Sequence, residues 1–210
     1  MELEVSRRSA KDVAKPVVAL MLILFVFSFS IFGQDQLLKY DVVYKGNSIG
    51  NMQVSQNKMD GKVNLKMISN VQMHLLFGIK MTSQEESSFQ NGKLIYSSVY
   101  RQVNGKEKAN KQTRAIGNNY QTWSEGIVNR LSNGSIEYNI HSLYFHEPID
   151  LQKVYSDNYQ QILPIKKMQE HSYKIELPDG NCNYYFYKDG ICNRVNVHTS
   201  MVTVDMLLKD

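Results

Sequence analysis

The sequence predicts an all-β fold, in which one antiparallel meander sheet curves into a half-barrel or barrel-like shape. Three observations predict it. Six Asn-Gly or Asp-Gly pairs divide the chain beyond residue 34, the segments between them alternate apolar and polar residues, and the run from 62 to about 75 is long for a strand. Long neighbouring strands joined by tight turns form a sheet that curls, and one face of a curled sheet can enclose a core or a cavity.

Asparagine or aspartate followed by glycine favours the two-residue turns that join antiparallel strands, because these residues tolerate positive φ angles. The six pairs are Asp60-Gly61, Asn91-Gly92, Asn104-Gly105, Asn133-Gly134, Asp179-Gly180 and Asp189-Gly190. Two looser turns are expected at Gly46-Asn47 and at Gly117-Asn118-Asn119.

Alternation with a period of two residues is typical of half-buried strands. In the long run from Val63 to Phe77, the apolar positions keep one parity and only Ser69 breaks it. We predict strands near 37–45, 49–58, 62–75, 79–90, 93–103, 106–116, 120–125, 135–140, 160–168, 171–177, 182–188, 191–199 and 201–208.

The segment 142–159 is the exception, because it lacks alternation and contains Pro148. We expect an irregular loop with a short helical turn, packed on the sheet. Long irregular segments serve as lids or binding loops, but they are as often simple crossovers between elements.

The first 33 residues resemble a targeting segment. Four cations precede Pro16, an uncharged apolar stretch follows, and small residues appear before Gly33, as in a secretory signal. We therefore expect residues 1–33 to be a signal peptide and residues 34–210 to be a single antiparallel β domain. The predicted location is the periplasm or the cell envelope. The alternative is an uncleaved segment that anchors the protein in the inner membrane.

The charge of the chain argues against a nucleic-acid partner. The formal net charge is +4, and residues 1–33 carry four cations and three anions, so a surplus of three remains beyond them. The one dense basic run, around Lys106 to Arg114, includes an acid and lies between turns, which favours a solvated hairpin surface.

No motif of catalysis or cofactor binding stands out, so we expect a protein that is not an enzyme and that has no cofactor. Neither a Gly-x-Ser-x-Gly nucleophile turn nor a glycine-rich phosphate loop occurs. Glu85 and Glu86 are adjacent, so strand alternation sends them to opposite faces and they cannot form a carboxylate pair.

The histidines favour no metal site. His141, His146 and Glu147 are close in sequence, but the spacing of five residues between the histidines fits neither a strand face nor a helix face. His74, His171 and His198 stand alone. We expect all of them to be ordinary surface histidines, and no metal to be bound.

The two cysteines are expected to be free thiols. A turn at Asp189-Gly190 pairs Lys188 with Ile191 and Tyr187 with Cys192, which leaves Cys182 roughly 16 Å further along its strand and on the opposite face. A disulfide requires Cα atoms within roughly 7 Å.

Aromatic residues supply the only sequence indication of a binding surface. Tyr184, Tyr185, Phe186 and Tyr187 place rings on both faces of one strand, and a conventional core accounts for one face only. Phenol rings suit a half-wet surface. The candidate ligand-binding residues are therefore Tyr184 to Tyr187, with Tyr144 and Phe145 as a lid.

The order of several short motifs resembles a known family. Tyr40 to Gly50 reads YDVVYKGNSIG, Phe89 to Leu94 reads FQNGKL, Leu143 to Pro148 reads LYFHEP, Leu177 to Gly180 reads LPDG, and Tyr185 to Gly190 reads YFYKDG. This order resembles the exported domain-of-unknown-function family DUF6134 of Bacteroidetes-type bacteria and, more loosely, the family DUF3108. The resemblance implies a curved antiparallel sheet, similar to the half-barrel carriers that shuttle lipoproteins across the periplasm, and a shared fold by itself establishes no function.

Three classes of function therefore stay open. The first is a non-enzymatic exported domain that binds a lipid or another apolar ligand, or an envelope protein. The second is a structural or assembly component of the envelope without a small-molecule ligand. The third is an enzyme of unknown type. Membrane contact is expected only through residues 1–33, if they are not cleaved.

Overall fold

The computed structural model describes residues 34–74, 78–132 and 134–209, so the predicted signal segment 1–33 lies outside the described residues. The described residues form fourteen strands and one short 3-10 helix, Ile140–Tyr144. The strands are β1 (Gln34–Tyr44), β2 (Asn47–Met59), β3 (Lys62–His74), β4 (Gly78–Gln90), β5 (Lys93–Val103), β6 (Lys106–Ile116), β7 (Asn119–Ser124), β8 (Ile127–Leu131), β9 (Lys153–Ser156), β10 (Gln161–Gln169), β11 (Ser172–Glu176), β12 (Cys182–Lys188), β13 (Ile191–His198) and β14 (Thr203–Leu208).

All fourteen strands belong to one antiparallel sheet. Each strand pairs with its neighbour in sequence from β1 to β8 and from β9 to β14, and β1 pairs with β14 to join the two halves. Val42 lies opposite Met206 at this junction. The edges are β8 and β9, so the sheet is not closed into a barrel. The predicted all-β meander is confirmed.

The sheet curls far enough for its two halves to touch. The side chain of Gln160, after β9, donates hydrogen bonds to the carbonyl oxygens of Gln112 on β6 (2.8 Å) and Trp123 on β7 (3.1 Å). The hydroxyl groups of Tyr155 on β9 and Thr113 on β6 are 2.8 Å apart. The inner face of this curl holds the hydrophobic core.

Four of the six predicted Asn-Gly or Asp-Gly turns have the expected backbone. At Asp179-Gly180 only Gly180 has positive φ, and the predicted turn at Asn133-Gly134 includes Asn133, which lies outside the described residues. At Asp60-Gly61, Asn91-Gly92, Asn104-Gly105 and Asp189-Gly190, both residues have positive φ, as a two-residue primed turn requires. Lys45-Gly46 and Glu125-Gly126 form turns with the same φ signs. The Glu125-Gly126 turn joins β7 to β8, a strand that the prediction missed because its residues are almost all exposed and do not alternate in burial.

The predicted strand 135–140 is wrong. Ile136 is buried although it belongs to no strand. Its backbone N–H donates a hydrogen bond to the hydroxyl of Tyr120 (3.0 Å) and not to the backbone of a neighbouring strand. Asn139 forms only an isolated parallel bridge to Tyr155, and the 3-10 helix begins at the next residue. Ile136 is buried but Tyr138 is 38% exposed, so the apolar residues of this stretch do not share one buried face.

Residues 134–160, called the inserted segment below, run into the curl of the sheet. The predicted loop at 142–159 with a helical turn is found in part: the 3-10 helix starts two residues earlier, and the missed strand β9 lies within it. Asn139 caps the helix, since its Oδ1 accepts a hydrogen bond from the backbone N–H of Ser142 (3.1 Å). Leu143, Tyr144 and Phe145 are buried in the core.

The cysteine region has the predicted register at the turn. Lys188 lies opposite Ile191 and Tyr187 opposite Cys192, and a β-bulge then shifts the pairing so that Cys182 lies opposite His198. Both thiols are free, and Cys192 is buried.

Gly50 on β2 lies where two backbones approach each other closely, and this yields a testable prediction. A Cβ atom there would lie 2.1 Å from the carbonyl oxygen of Asn70 and 2.8 Å from the Cα of Val71. Because backbone atoms of β3 must move to make room, we expect Gly50→Ala to lower the free energy of unfolding by about 2 kcal/mol or more in urea denaturation.

The matched control is Gly78→Ala on β4, where a Cβ meets nothing within 4 Å. This substitution should leave stability unchanged within about 0.5 kcal/mol or raise it slightly. Equal effects of the two substitutions would contradict the close approach of β2 and β3.

Candidate functional site

A cavity of about 330 Å³ lies inside the curled sheet. It is called the methionine cavity here, because four of the ten methionines of the chain line it. Its apolar lining consists of Met52, Met67, Met81, Ile140, Tyr144, Leu177, Tyr185, Val195, Val197 and Met206. At its rim the cavity is lined by three polar residues that follow the ends of strands, Asn158, Asp179 and Thr199. Methionine side chains are flexible and polarisable, so such a wall adapts to ligands of varied shape.

The inner faces of β4 and β5 give this cavity one polar wall. Strand alternation turns Ser83, Glu85 and Ser87 of β4 inward, and all three are buried. On β5, Arg101 lies opposite Ser83 and Ser97 lies opposite Ser87, so these side chains share that face. The inward face of a curled sheet is normally apolar, so this polar patch requires partners.

Glu85 is bound by two cationic side chains. Nη2 of Arg101 donates to its Oε1 and Nε2 of His141 contacts its Oε2, each at 3.0 Å. The hydroxyl of Ser83 also donates to Oε1 at 3.0 Å. Both carboxylate oxygens are therefore engaged, and the side chain is only 7% exposed.

The inserted segment supplies a second buried acid. Nδ1 of His141 lies 3.7 Å from Oδ2 of Asp157, so the imidazole stands between two carboxylates. Nδ2 of Asn139 donates to the same Oδ2 and to the hydroxyl of Ser87, both at 2.9 Å. Arg101, Glu85, His141 and Asp157 thus form a continuous chain, called the charge cluster here.

Burial and charge act against each other on these groups. Burial opposes ionisation of Glu85, but the hydrogen bond from His141 and the charges of His141 and Arg101 outweigh it, so the pKa of Glu85 falls to about 2. Burial also opposes protonation of His141, yet Glu85 and Asp157 raise its pKa above the ordinary value. For Asp157 burial dominates, and its pKa is raised despite the charge of His141.

Two polar atoms of the charge cluster remain without partners. Within the part of the chain that the structure describes, Oδ1 of Asp157 and Nε of Arg101 are buried and form no hydrogen bond. Ser97 approaches the Asp157 carboxyl closely enough to lower its pKa, but it forms no bond to Oδ1 of ordinary hydrogen-bond geometry. Both Asp157 and Arg101 line the methionine cavity.

A second cavity of about 450 Å³ lies on the other side of the 3-10 helix. Ser142 lines the second cavity, whereas His141 and Tyr144 line the methionine cavity, so the helix separates the two. Val63, Leu65 and Phe89 form its apolar wall.

The structure separates the six aromatic residues that the sequence selected. Tyr144 and Tyr185 meet edge to face, with ring centroids 6.3 Å apart, and both line the methionine cavity. Phe145 and Tyr187 are core residues, and the Tyr187 hydroxyl donates to the carbonyl oxygen of Leu143 (2.9 Å).

Tyr184 and Phe186 lie on the other face of β12. Tyr184 packs against the ring of His198 with centroids 5.1 Å apart, and the guanidinium of Arg194 lies 5.3 Å from the ring centre of Phe186. Both rings are half-buried by these neighbours.

The prediction that His141 is an ordinary surface histidine is wrong, since its side chain is 1% exposed. The opposite orientation of Glu85 and Glu86 is confirmed, but the inward role of Glu85 was missed. The parity of Met81, Ser83, Glu85, Ser87 and Phe89 contained the signal: polar residues occupy the apolar parity of a predicted strand.

The charge cluster contains histidine and carboxylate side chains, but they are not arranged as metal ligands. Among residues 34–74, 78–132 and 134–209, no group of three His, Cys, Asp or Glu side chains is arranged to hold a metal ion. In the same ranges, no helix has the length and apolar character needed to cross a membrane.

Replacement of Glu85 tests the energetic role of the charge cluster. Glu85→Gln leaves buried His141 and Arg101 without their common anion, so we expect it to lower the free energy of unfolding at pH 7 by about 3 kcal/mol or more. Glu86→Gln is the control, because Glu86 forms only a half-exposed ion pair with Lys66 and should cost less than about 1 kcal/mol. Equal losses would contradict the assignment.

The stability difference between the native sequence and Glu85→Gln should depend on pH. The lowered pKa of Glu85 means that its stabilisation is complete above its ordinary value of 4.5 and is lost as the pH falls towards 2. The difference in unfolding free energy between the native sequence and Glu85→Gln should therefore shrink over this interval in urea titrations.

No curated protein sequence matches the chain. Among solved structures, the fold is similar to a β-barrel-like protein of the domain of unknown function DUF1849 from Brucella abortus, with a TM-score of 0.52 and 11% sequence identity, over 83% of this chain and 95% of that one. A family model described as a domain of unknown function, DUF6134, matches residues 40–209, and the chain therefore belongs to the DUF6134 family.

Proposed function

We propose that this protein is a non-enzymatic binding domain that holds a small, mainly apolar ligand in the methionine cavity. The observation that carries the proposal is the cavity itself, which is about 330 Å³ in volume and combines methionine, tyrosine and valine side chains with the charge cluster and several neutral polar side chains. Binding sites for small molecules have this composition, at volumes of roughly 300–1,000 Å³.

The contacts of His141 favour binding over catalysis. A general base must be free to take a proton from a substrate. His141 is buried and its Nε2 contacts Glu85. Its Nδ1 lies 3.3 Å from Nδ2 of Asn139 and 3.7 Å from Asp157, so both ring nitrogens are engaged by side chains of the protein. This arrangement suits a group that holds the inserted segment in place.

The outer face of β12 gives less support to a partner-protein function. Tyr184 and Phe186 are half-buried beneath His198 and Arg194, so they do not form a large apolar patch of the kind that protein interfaces use. The ligand-binding function is therefore preferred over a purely structural role in the envelope.

We further propose that the protein is exported, with residues 1–33 acting as a cleavable signal and the domain working in the periplasm or cell envelope. The basic start, the apolar stretch and the small residues before Gly33 support this. The same motifs that resemble DUF6134 suggest an origin in a Bacteroidetes-type bacterium.

The export proposal predicts the N-terminus of the mature protein. N-terminal sequencing of the protein isolated from the envelope of an expressing bacterium should start at or near Gln34. Protein that still begins at Met1, recovered with the inner membrane, would show that the segment is a retained anchor.

The binding proposal predicts that filling the cavity weakens the binding of an apolar ligand. Ser69 on β3 is buried and lines the methionine cavity, so the ring of Ser69→Phe would occupy much of its volume. We expect this variant to bind the apolar dye 1-N-phenylnaphthylamine at least about tenfold more weakly than the native sequence, measured by fluorescence titration.

The control is Asn70→Phe at the next, outward-facing position of β3, which adds the same ring to the solvent side. Its dye affinity should match the native value. Circular dichroism of both variants checks that the fold is kept. Dye binding that is unaffected by Ser69→Phe would place the site elsewhere and refute the proposal.

A further inference from the structure

We propose that the ligand of the methionine cavity has an uncharged head group that both donates and accepts hydrogen bonds, such as a carboxamide or a hydroxyl, on an apolar tail. This inference rests on the proposed function and adds the chemical class of the ligand. It is carried by the unpartnered atoms of the charge cluster and by the balance of its charges.

The unpartnered atoms define what the head group must offer. Oδ1 of Asp157 and Oδ1 of Asn183 are acceptors and Nε of Arg101 is a donor, and within the described residues all three are buried without a hydrogen bond and belong to residues that line the cavity. The Asp157 side chain is 2% exposed, so bulk water has little access to it. Buried polar groups are generally satisfied by a partner, so a head group that both donates and accepts hydrogen bonds would complete such atoms.

The charge balance decides against an ionised head group. Arg101 is paired with Glu85 and His141 with Asp157, which gives two cationic and two acidic side chains. His141 and Asp157 share one proton. The net charge of the four side chains is zero whether this proton lies on the imidazole or on the carboxyl group. A carboxylate or an ammonium on the ligand would add an uncompensated charge beside the buried side chains of Glu85, His141 and Asp157, and this is costly.

The remaining charge beside the cavity does not change this conclusion. Asp179 lies at the rim and is exposed, and its carboxylate already accepts hydrogen bonds from the hydroxyl of Tyr159 and from Asn181. Solvent screens an exposed charge of this kind from groups deep in the cavity.

The tail has matching apolar surroundings next to the charge cluster. The sulfur atoms of Met52 and Met206 lie 3.9 Å and 3.7 Å from the hydroxyl oxygen of Tyr144. Met67 on β3 and Met81 on β4 extend this apolar surface. A flexible alkyl chain can pack on such a surface in several conformations.

The test uses four probes with one eight-carbon tail and different heads: octanamide, 1-octanol, octanoate and octylammonium. Each competes at pH 7 with 1-N-phenylnaphthylamine bound to the purified full chain. We expect octanamide and 1-octanol to displace the dye at concentrations at least about tenfold lower than octanoate and octylammonium do.

A charge-changing variant gives a second readout. Asp157→Asn removes the acid that balances a protonated His141, and the imidazolium form, which Glu85 still stabilises, then leaves a surplus cation. We therefore expect the ratio of octanoate to octanamide affinity to rise at least about tenfold. Glu86→Gln, on the outer face of the same sheet, should leave this ratio unchanged. Dye affinity and circular dichroism show whether Asp157→Asn is folded. If this variant does not fold, competition of the four probes with the dye on the native protein still tests the head-group preference.

The outcomes separate the two proposals. If the dye binds but a charged probe displaces it as well as the uncharged probes do, the head-group inference is wrong and the binding function stands. If the dye does not bind the native protein, the binding function fails and the inference fails with it.

Discussion

The structure depends on the contacts that Glu85 makes at the inner face of β4. A carboxylate on the concave side of a curled sheet is unfavourable unless cations and donors surround it, and here Arg101, His141 and Ser83 do so. Arg101 and Ser83 come from the sheet itself, but His141 comes from the inserted segment. The acid therefore fixes the position of residues 134–160 inside the curl, because breaking that contact would leave a buried charge unpaired.

The inserted segment in turn determines how the interior is used. The curled sheet alone would enclose one continuous space, and the 3-10 helix divides it into two cavities with different linings. Asn139 links the parts, since its side chain caps the helix and donates to both Ser87 and Asp157. One short segment thus contributes to the core through Leu143 and Phe145 and to the cavity wall through His141 and Tyr144. A ligand in the methionine cavity would contact both the sheet and this segment, so binding would also stabilise their association.

Sequence reasoning recovered most of the fold because its signals are local. Asn-Gly and Asp-Gly turns fix both the position and the register of a hairpin, and Tyr187 opposite Cys192 shows how well this works. The strand β8 gave no signal because its side chains are exposed. The predicted strand 135–140 was wrong because Ile136, Tyr138 and Ile140 alternate in sequence without sharing a buried face, since Tyr138 is exposed. The charge cluster was harder, since Glu85 and Asp157 are far apart in sequence and meet only when the sheet curls. The parity of Ser83, Glu85 and Ser87 on a predicted strand, and the single break at Ser69, marked its sheet side in advance.

The incomplete hydrogen bonding of the charge cluster bears on its function. A cluster that served only stability would gain by pairing every buried polar atom, and Glu85 and Asn139 show that this part of the fold can provide such pairing. The atoms left without partners, on Asp157 and Arg101, belong to residues that line the methionine cavity. Departures from complete local satisfaction tend to be found at functional sites, where another molecule completes the contacts. Oδ1 of Asn183, which also lines the cavity, is likewise buried without a partner among the described residues. The methionine side chains supply little directional preference, so selectivity for a ligand in this cavity would come from these polar atoms and from the neutral sum of charge around the charge cluster.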